Sequence, residues 1–188
     1  MKYPLLLLAA GLAGLPGAAL AQSAPSQTVT VTGDVAKACM LGTPASATLN
    51  IGALTDASGR LLPALTGNTP AAQTTIASAW CNTPSTIALK ASPLTMVSTP
   101  AYAQPQGFAR AITYTANLTN WSEAVTNRPL TSDATVSVAA ARAQAAQPSL
   151  GVVFSNLAPL VSGSENPNAL IEAGPYSTSV QITLSASS

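Results

Sequence analysis

Two cysteines, Cys39 and Cys81, and six carboxylates, Asp34, Asp56, Glu123, Asp133, Glu165 and Glu172, are the side chains here with chemistry to offer. The chain has no histidine. Catalytic triads and general bases built on imidazole are therefore excluded. A glycosidase needs two carboxylates facing each other across a cleft. Any two of the six can meet in space, but none sits in a motif. Most lie in turn-like or polar surroundings, where solvated surface charge is the ordinary role. There is no glycine-rich phosphate loop, and two cysteines without histidine fall short of a zinc donor set. No enzyme activity and no cofactor are expected. Asn117-Leu118-Thr119 and Asn120-Trp121-Ser122 match the glycosylation pattern, but in a bacterial export context they signify a polar loop. Trp80, next to Cys81, is expected in the core against the cysteine. Trp121 is expected as a partly buried loop anchor, with contact to a sugar as the alternative.

The cysteines take their meaning from the start of the chain. MKYPLLLLAAGLAGLPGAALA, residues 1–21, has a basic Lys2, an apolar run from Leu5 to Leu15, a break at Pro16-Gly17 and a small-x-small site at Ala19-Leu20-Ala21. It reads as a secretory signal peptide rather than a membrane anchor, because the apolar run is short and broken by proline. Export places the two cysteines in an oxidising compartment, where one disulfide is expected. A free thiol pair or a metal site is the alternative. Closing a loop of that length contributes on the order of 4 kcal/mol. Removing 21 of 188 residues leaves 167, enough for one domain with a real core. Without Lys2, six basic residues face six acidic ones. That balance excludes a nucleic-acid partner held by phosphate contacts. So little charge also means little self-repulsion, which suits a protein that assembles.

Thr, Val, Ser and Ala dominate the remainder, punctuated by Pro and Gly. Candidate strands are Thr28–Val35, Ala47–Ile51, Thr74–Trp80, Thr86–Lys90, Arg110–Leu118, Thr135–Ala139, Leu150–Phe154 and Ser177–Ser185. Ile112, Tyr114, Ala116 and Leu118 share one face, with Thr113, Thr115 and Asn117 opposite. Val180, Ile182 and Leu184 likewise oppose Gln181 and Thr183. This period of two marks strands with one buried and one wet side. Turn-rich segments at 66–70, 82–84, 162–168 and 174–175 separate them, so an all-β, antiparallel sandwich is expected. Only AAARAQAA, residues 139–146, has helical composition, and it is short enough to be a single turn or a continued strand.

The stretch QTVTVTGDVAKAC, Gln27 to Cys39, is the most informative. Gln27, Val29, Val31, Gly33 and Val35 share one face of an extended strand. A glycine in the middle of that face weakens pairing within its own domain. With the second cysteine some forty residues on and the closing AGPYSTSVQITLSAS, the chain resembles the pilin subunits of chaperone–usher fimbriae and the related spore-coat-U-like secreted proteins. The resemblance covers both ends and the cysteine spacing; residues 91–168 match neither family.

The resemblance implies an immunoglobulin-like antiparallel β-sandwich, incomplete because it lacks its last strand. Residues 1–21 would be the signal peptide, 22–38 an N-terminal donor-strand extension and 39–188 the pilin-like domain. Gln27, Val29, Val31, Gly33 and Val35 would be the pegs of the donated strand, and Val180, Ile182 and Leu184 would line the groove that receives a neighbour's. A Cys39–Cys81 disulfide would tie the first strand to the second. The implied partners are neighbouring subunits joined head to tail, a periplasmic chaperone, an outer-membrane usher, and a host or surface ligand. The implied function is a structural fibre subunit serving adhesion or biofilm formation, passing through the periplasm to the cell surface. The alternative is a secreted, self-complemented β-sandwich binding module for a glycan or host protein, with residues 28–36 paired inside their own domain.

Overall fold

The computed structural model describes residue 27, residues 29–131 and residues 136–187. The expected signal peptide, Thr28, Asp133 and Thr135 lie outside the described residues. The chain divides after Val35, and residues 36–188 form the unit that carries the fold. It is all-β. Its strands are β1 (Cys39–Leu41), β2 (Ala72–Ile76), β3 (Ala79–Cys81), β4 (Ser85–Ala91), β5 (Leu94–Met96), β6 (Phe108–Ala109), β7 (Ala111–Thr119), β8 (Val125–Asn127), β9 (Val136–Arg142), β10 (Leu150–Val161), β11 (Ser164–Glu165), β12 (Leu170–Ile171), β13 (Tyr176–Ser177) and β14 (Val180–Ala186).

The larger sheet is built on β7 and β10, which pair antiparallel from Gly151↔Thr119 to Leu160↔Ala111. On the far edge of β10 lie β2 and the short hairpin strand β11. Against the far edge of β7 lie β5, with β13 beyond it, and β8. A smaller sheet has the order β14–β4–β9. Two further pairs, β1 with β3 and the parallel β6 with β12, complete the ladders. Alternation decides which faces meet. Ile87 and Leu89 of β4, Ile112, Ala116 and Leu118 of β7, and Leu150 of β10 are fully buried and belong to one core. The antiparallel sheets around a shared core are compatible with a β-sandwich. Asn127 of β8 spans the interior, its Nδ2 donating to the Leu89 carbonyl at 3.2 Å.

Several sequence expectations need correction. Residues 29–35, inside the expected strand Thr28–Val35, carry no regular strand. Ala47–Ile51 is irregular too. There the Asn50 side chain accepts the Gly52 N–H at 2.8 Å, and Gly52 takes a positive φ of 83°, which turns the chain out of a ladder. The run Thr74–Trp80 is two strands, because β2 joins β10 while β3 joins β1. Likewise Ser177–Ser185 is shared between β13 and β14, which belong to different sheets. The expected strand Leu150–Phe154 continues to Val161 through a bulge between Ser155 and Ala158, where Asn156 has φ 52°. For AAARAQAA the continued-strand alternative holds: β9 runs to Arg142, and Ala146 bridges to Cys81. The wet face of β7 is partly covered, since Thr113 is buried and its hydroxyl donates to the Pro129 carbonyl at 2.5 Å. Trp121 is fully buried rather than partly so. Arg142 donates to its carbonyl oxygen and lies 5.9 Å from its ring centroid, so the indole has no face to offer a sugar.

Candidate functional site

The carboxylates were the first candidates for chemistry, and the described ones do not face each other. Asp34 and Glu123 are exposed. Asp56 closes a turn, accepting from the Ser58 hydroxyl and from the Ser58 and Arg60 backbone N–H groups. These bonds, the Ser58 hydroxyl foremost, hold its carboxyl below the usual range. Glu165 pairs with Arg128 at 2.6 Å, and that guanidinium lowers its pKa. Arg128 also donates to Thr115 Oγ1 and to the carbonyl of the left-handed Asn156, tying the bulge of β10 to the outer face of β7. Among the described residues no group of three or more His, Cys, Asp or Glu is placed to hold a metal ion. Two surface hollows, of about 330 and 660 Å³, are lined by uncharged residues apart from Glu123 in the larger one.

Glu172 is the one buried carboxylate among the described residues. Arg110 Nε donates to it at 2.5 Å and the Tyr102 hydroxyl at 2.5 Å. The Arg110 guanidinium, then the Tyr102 hydroxyl, hold its carboxyl below the ordinary range. Beside it, the Tyr176 hydroxyl donates to the Glu172 carbonyl at 2.8 Å and to the Ala109 carbonyl at 3.2 Å. Burial pushes the Tyr176 phenol up to about 12. Every charge in this cluster is matched by a partner. Its work is to tie the 102–110 segment to the corner that leads into the last strand.

The feature that can act on another molecule is that last strand. β14 pairs with β4 from Val180↔Ala91 to Ala186↔Ser85, and among the described residues that is its one ladder partner. The ladder sets Val180, Ile182 and Leu184 opposite Ala91, Leu89 and Ile87, so all three face the core side. They are half-buried and pack against the core, while their exposed neighbours Gln181, Thr183 and Ser185 point outward. Among the described residues one edge of β14 has no ladder partner, and it runs beside a row of incompletely covered apolar side chains. β1 runs close to this strand, and Lys37 Nζ donates to the Ser187 carbonyl at its end. Cys39 and Cys81 are joined in a disulfide that locks β1 to β3.

Of the expected site residues, the structure places Val180, Ile182 and Leu184 in one row on a strand with a single ladder partner among the described residues. Val29, Val31 and Val35 are 85, 90 and 83% exposed. Gln27 is exposed too, and a β-carbon added at Gly33 would meet no heavy atom within 4 Å. Sequence reasoning missed Lys37 and Asn82, which hold the residues leading into β1. Asn82 directly after Cys81 was legible only as part of a turn. No family model, curated protein or solved structure matches this chain.

Proposed function

We propose that the chain is a structural subunit of an extracellular fibre, and that subunits join head to tail by adding a strand of one to the open β14 edge of the next. The edge of β14 that has no ladder partner among the described residues carries this reading. An unpaired edge is normally protected by charge, proline or a covering element, because it templates pairing with another chain. Here the edge strand has exposed polar residues without charge and a half-covered apolar row. Strand addition satisfies both needs: the backbone ladder provides affinity, and alternate side chains fill the row. Gln27 to Val35 supplies a segment of matching pattern, with valines at alternate positions 29, 31 and 35 and a glycine at 33 that would share one face once it is extended. Burying each exposed valine contributes about 1.5–3 kcal/mol before the cost of ordering the segment.

One further observation supports an immunoglobulin-like, incomplete sandwich with an N-terminal donor strand. The Tyr176 hydroxyl bonds back to a carbonyl four residues upstream, just before the last strand, as the tyrosine corner of such sandwiches does. The disulfide ties β1 to its ladder partner β3, the third strand in chain order rather than the second. On this reading the subunit leaves by way of its signal peptide and a chaperone covers the β14 edge in the periplasm. An outer-membrane usher then orders the exchange, and the fibre serves adhesion or biofilm formation.

The test compares residues 22–188 with a chain lacking residues 22–35. The longer chain is expected to form head-to-tail polymers once the chaperone is removed. The shorter one should stop growth and bind a synthetic peptide of residues 27–36. A truncated chain that still polymerises sinks the proposal. A full-length chain that stays a stable monomer without chaperone selects the self-complemented binding module instead.

A further inference from the structure

The root of the N-terminal segment, residues 36–38, is held by a device that the ladder alone does not provide. The register Cys39↔Cys81 sets Ala38 opposite Asn82 and Ala36 opposite Pro84. The backbone N–H of Asn82 donates to the Ala38 carbonyl at 3.1 Å, as an antiparallel pair requires. The return bond is unusual: the Ala38 N–H donates to the Asn82 side-chain Oδ1 at 2.8 Å. The next rung would need an N–H from residue 84, which is proline and has none. Asn82 Nδ2 takes that place, donating to the Ala36 carbonyl at 2.9 Å. A primary amide has both the acceptor and the donors this requires, so one side chain stands in for a peptide group.

The same node holds the end of β14. The Ser187 N–H donates to the Pro84 carbonyl at 2.8 Å, and Lys37 Nζ donates to the Ser187 carbonyl at 3.1 Å. Residues 36–38, the turn at 82–84 and Ser187 thus form a closed circuit of hydrogen bonds, with the disulfide beside it.

We infer that Asn82 is a positioning residue, clamping the root of the donated strand to the end of the strand that accepts a neighbour's; this rests on the assembly reading above. The consequence is mechanical. Each subunit donates its strand from a point fixed to its own acceptor edge, so successive subunits keep a constant relation and the fibre is stiff. Without the clamp the donated strand hangs on a longer tether and the fibre bends.

The experiment reads the clamp first in the unpolymerised subunit. Trypsin cleaves after Lys37, and Asn82→Ala should speed that cleavage, and amide exchange at Ala38, about tenfold, as losing two ordinary hydrogen bonds implies. Cleavage after Lys90, inside β4, should not change, which certifies the fold. Asn82→Asp keeps the acceptor and loses the donor, so it should give a smaller rise, and it decides the matter if Asn82→Ala does not fold. Adding Pro84→Ala to Asn82→Ala returns a backbone N–H opposite Ala36 and should recover part of the protection. Fibres of Asn82→Ala should grow at the wild-type rate and be visibly more curved in electron micrographs. Unchanged cleavage after Lys37 overturns the clamp, and equally straight fibres overturn its positioning role. If the wild-type chain forms no fibres, the assembly reading has failed instead, and cleavage and exchange at Lys37–Ala38 alone decide the clamp.

Discussion

Glu172 shows how a residue that resembles a candidate acid becomes a structural tie. Its neighbours are Arg110 and Tyr102, not a second carboxylate, and they favour its charged form. A carboxyl lowered by folding stabilises the fold above its unfolded pKa, and that contribution is lost as pH falls through the folded value. Unfolding midpoints should therefore drop as acid passes below the ordinary glutamate range, and Glu172→Gln should flatten the drop. Among the described residues Glu165 and Asp56 are lowered as well and contribute to the slope left over. Tyr176 behaves in the opposite sense. Its phenol is raised to about 12, so its contribution is whole below the ordinary phenol range and is lost as pH rises toward that value. Tyr176→Phe should reduce the alkaline loss and, by removing the hydroxyl bonds to Glu172 and Ala109, lower stability at neutral pH by about 1–3 kcal/mol in urea unfolding. The ties of Glu172 to Tyr102 and Arg110 were not legible in the sequence, because they span 70 and 62 residues of chain and only the fold brings them together.

At the scale of the element, β4, β7 and β14 were legible because each alternates with one face buried, and period two is a local property. The strands that misled are those whose partners change along their length. The run from Thr74 to Trp80 serves two ladders, and β10 continues past Phe154 only because a bulge lets it. Gly33 separates the two accounts of the N-terminal segment. Space around it is open and it takes no positive φ, so the fold of this chain does not require glycine there. Gly33→Leu is thus expected to leave the thermal midpoint unchanged and to slow exchange into the β14 edge of another subunit. An unaltered exchange rate removes Gly33 from the assembly. Ile182→Lys places a charge in the middle of the apolar row and should abolish binding of the 27–36 peptide, measured by calorimetry.

The whole molecule is stabilised by one disulfide and one core. Reducing Cys39–Cys81 should lower stability by on the order of 4 kcal/mol, the entropy of a loop of 42 residues, read as a shift in denaturation midpoint. It should also loosen residues 36–38, since the cross-link adjoins the Asn82 node. Trp121→Ala, at a fully buried site, should cost about 3–5 kcal/mol and leave binding at the β14 edge intact in whatever fraction stays folded. The sequence by itself determined the all-β class, that only two cysteines exist to pair, the apolar face of the last strand and the valine row near the start. Those follow from composition and from a periodicity that each strand carries alone. Only the tertiary structure decided that the Glu172 carboxylate is paired with Arg110, that Trp121 is interior and that, among the described residues, β14 has a ladder partner on one edge alone. It also decided that a single asparagine stands in for the rung that Pro84 cannot supply. Each of these depends on which segments lie opposite one another, and that is settled by the packing of the whole chain around its core.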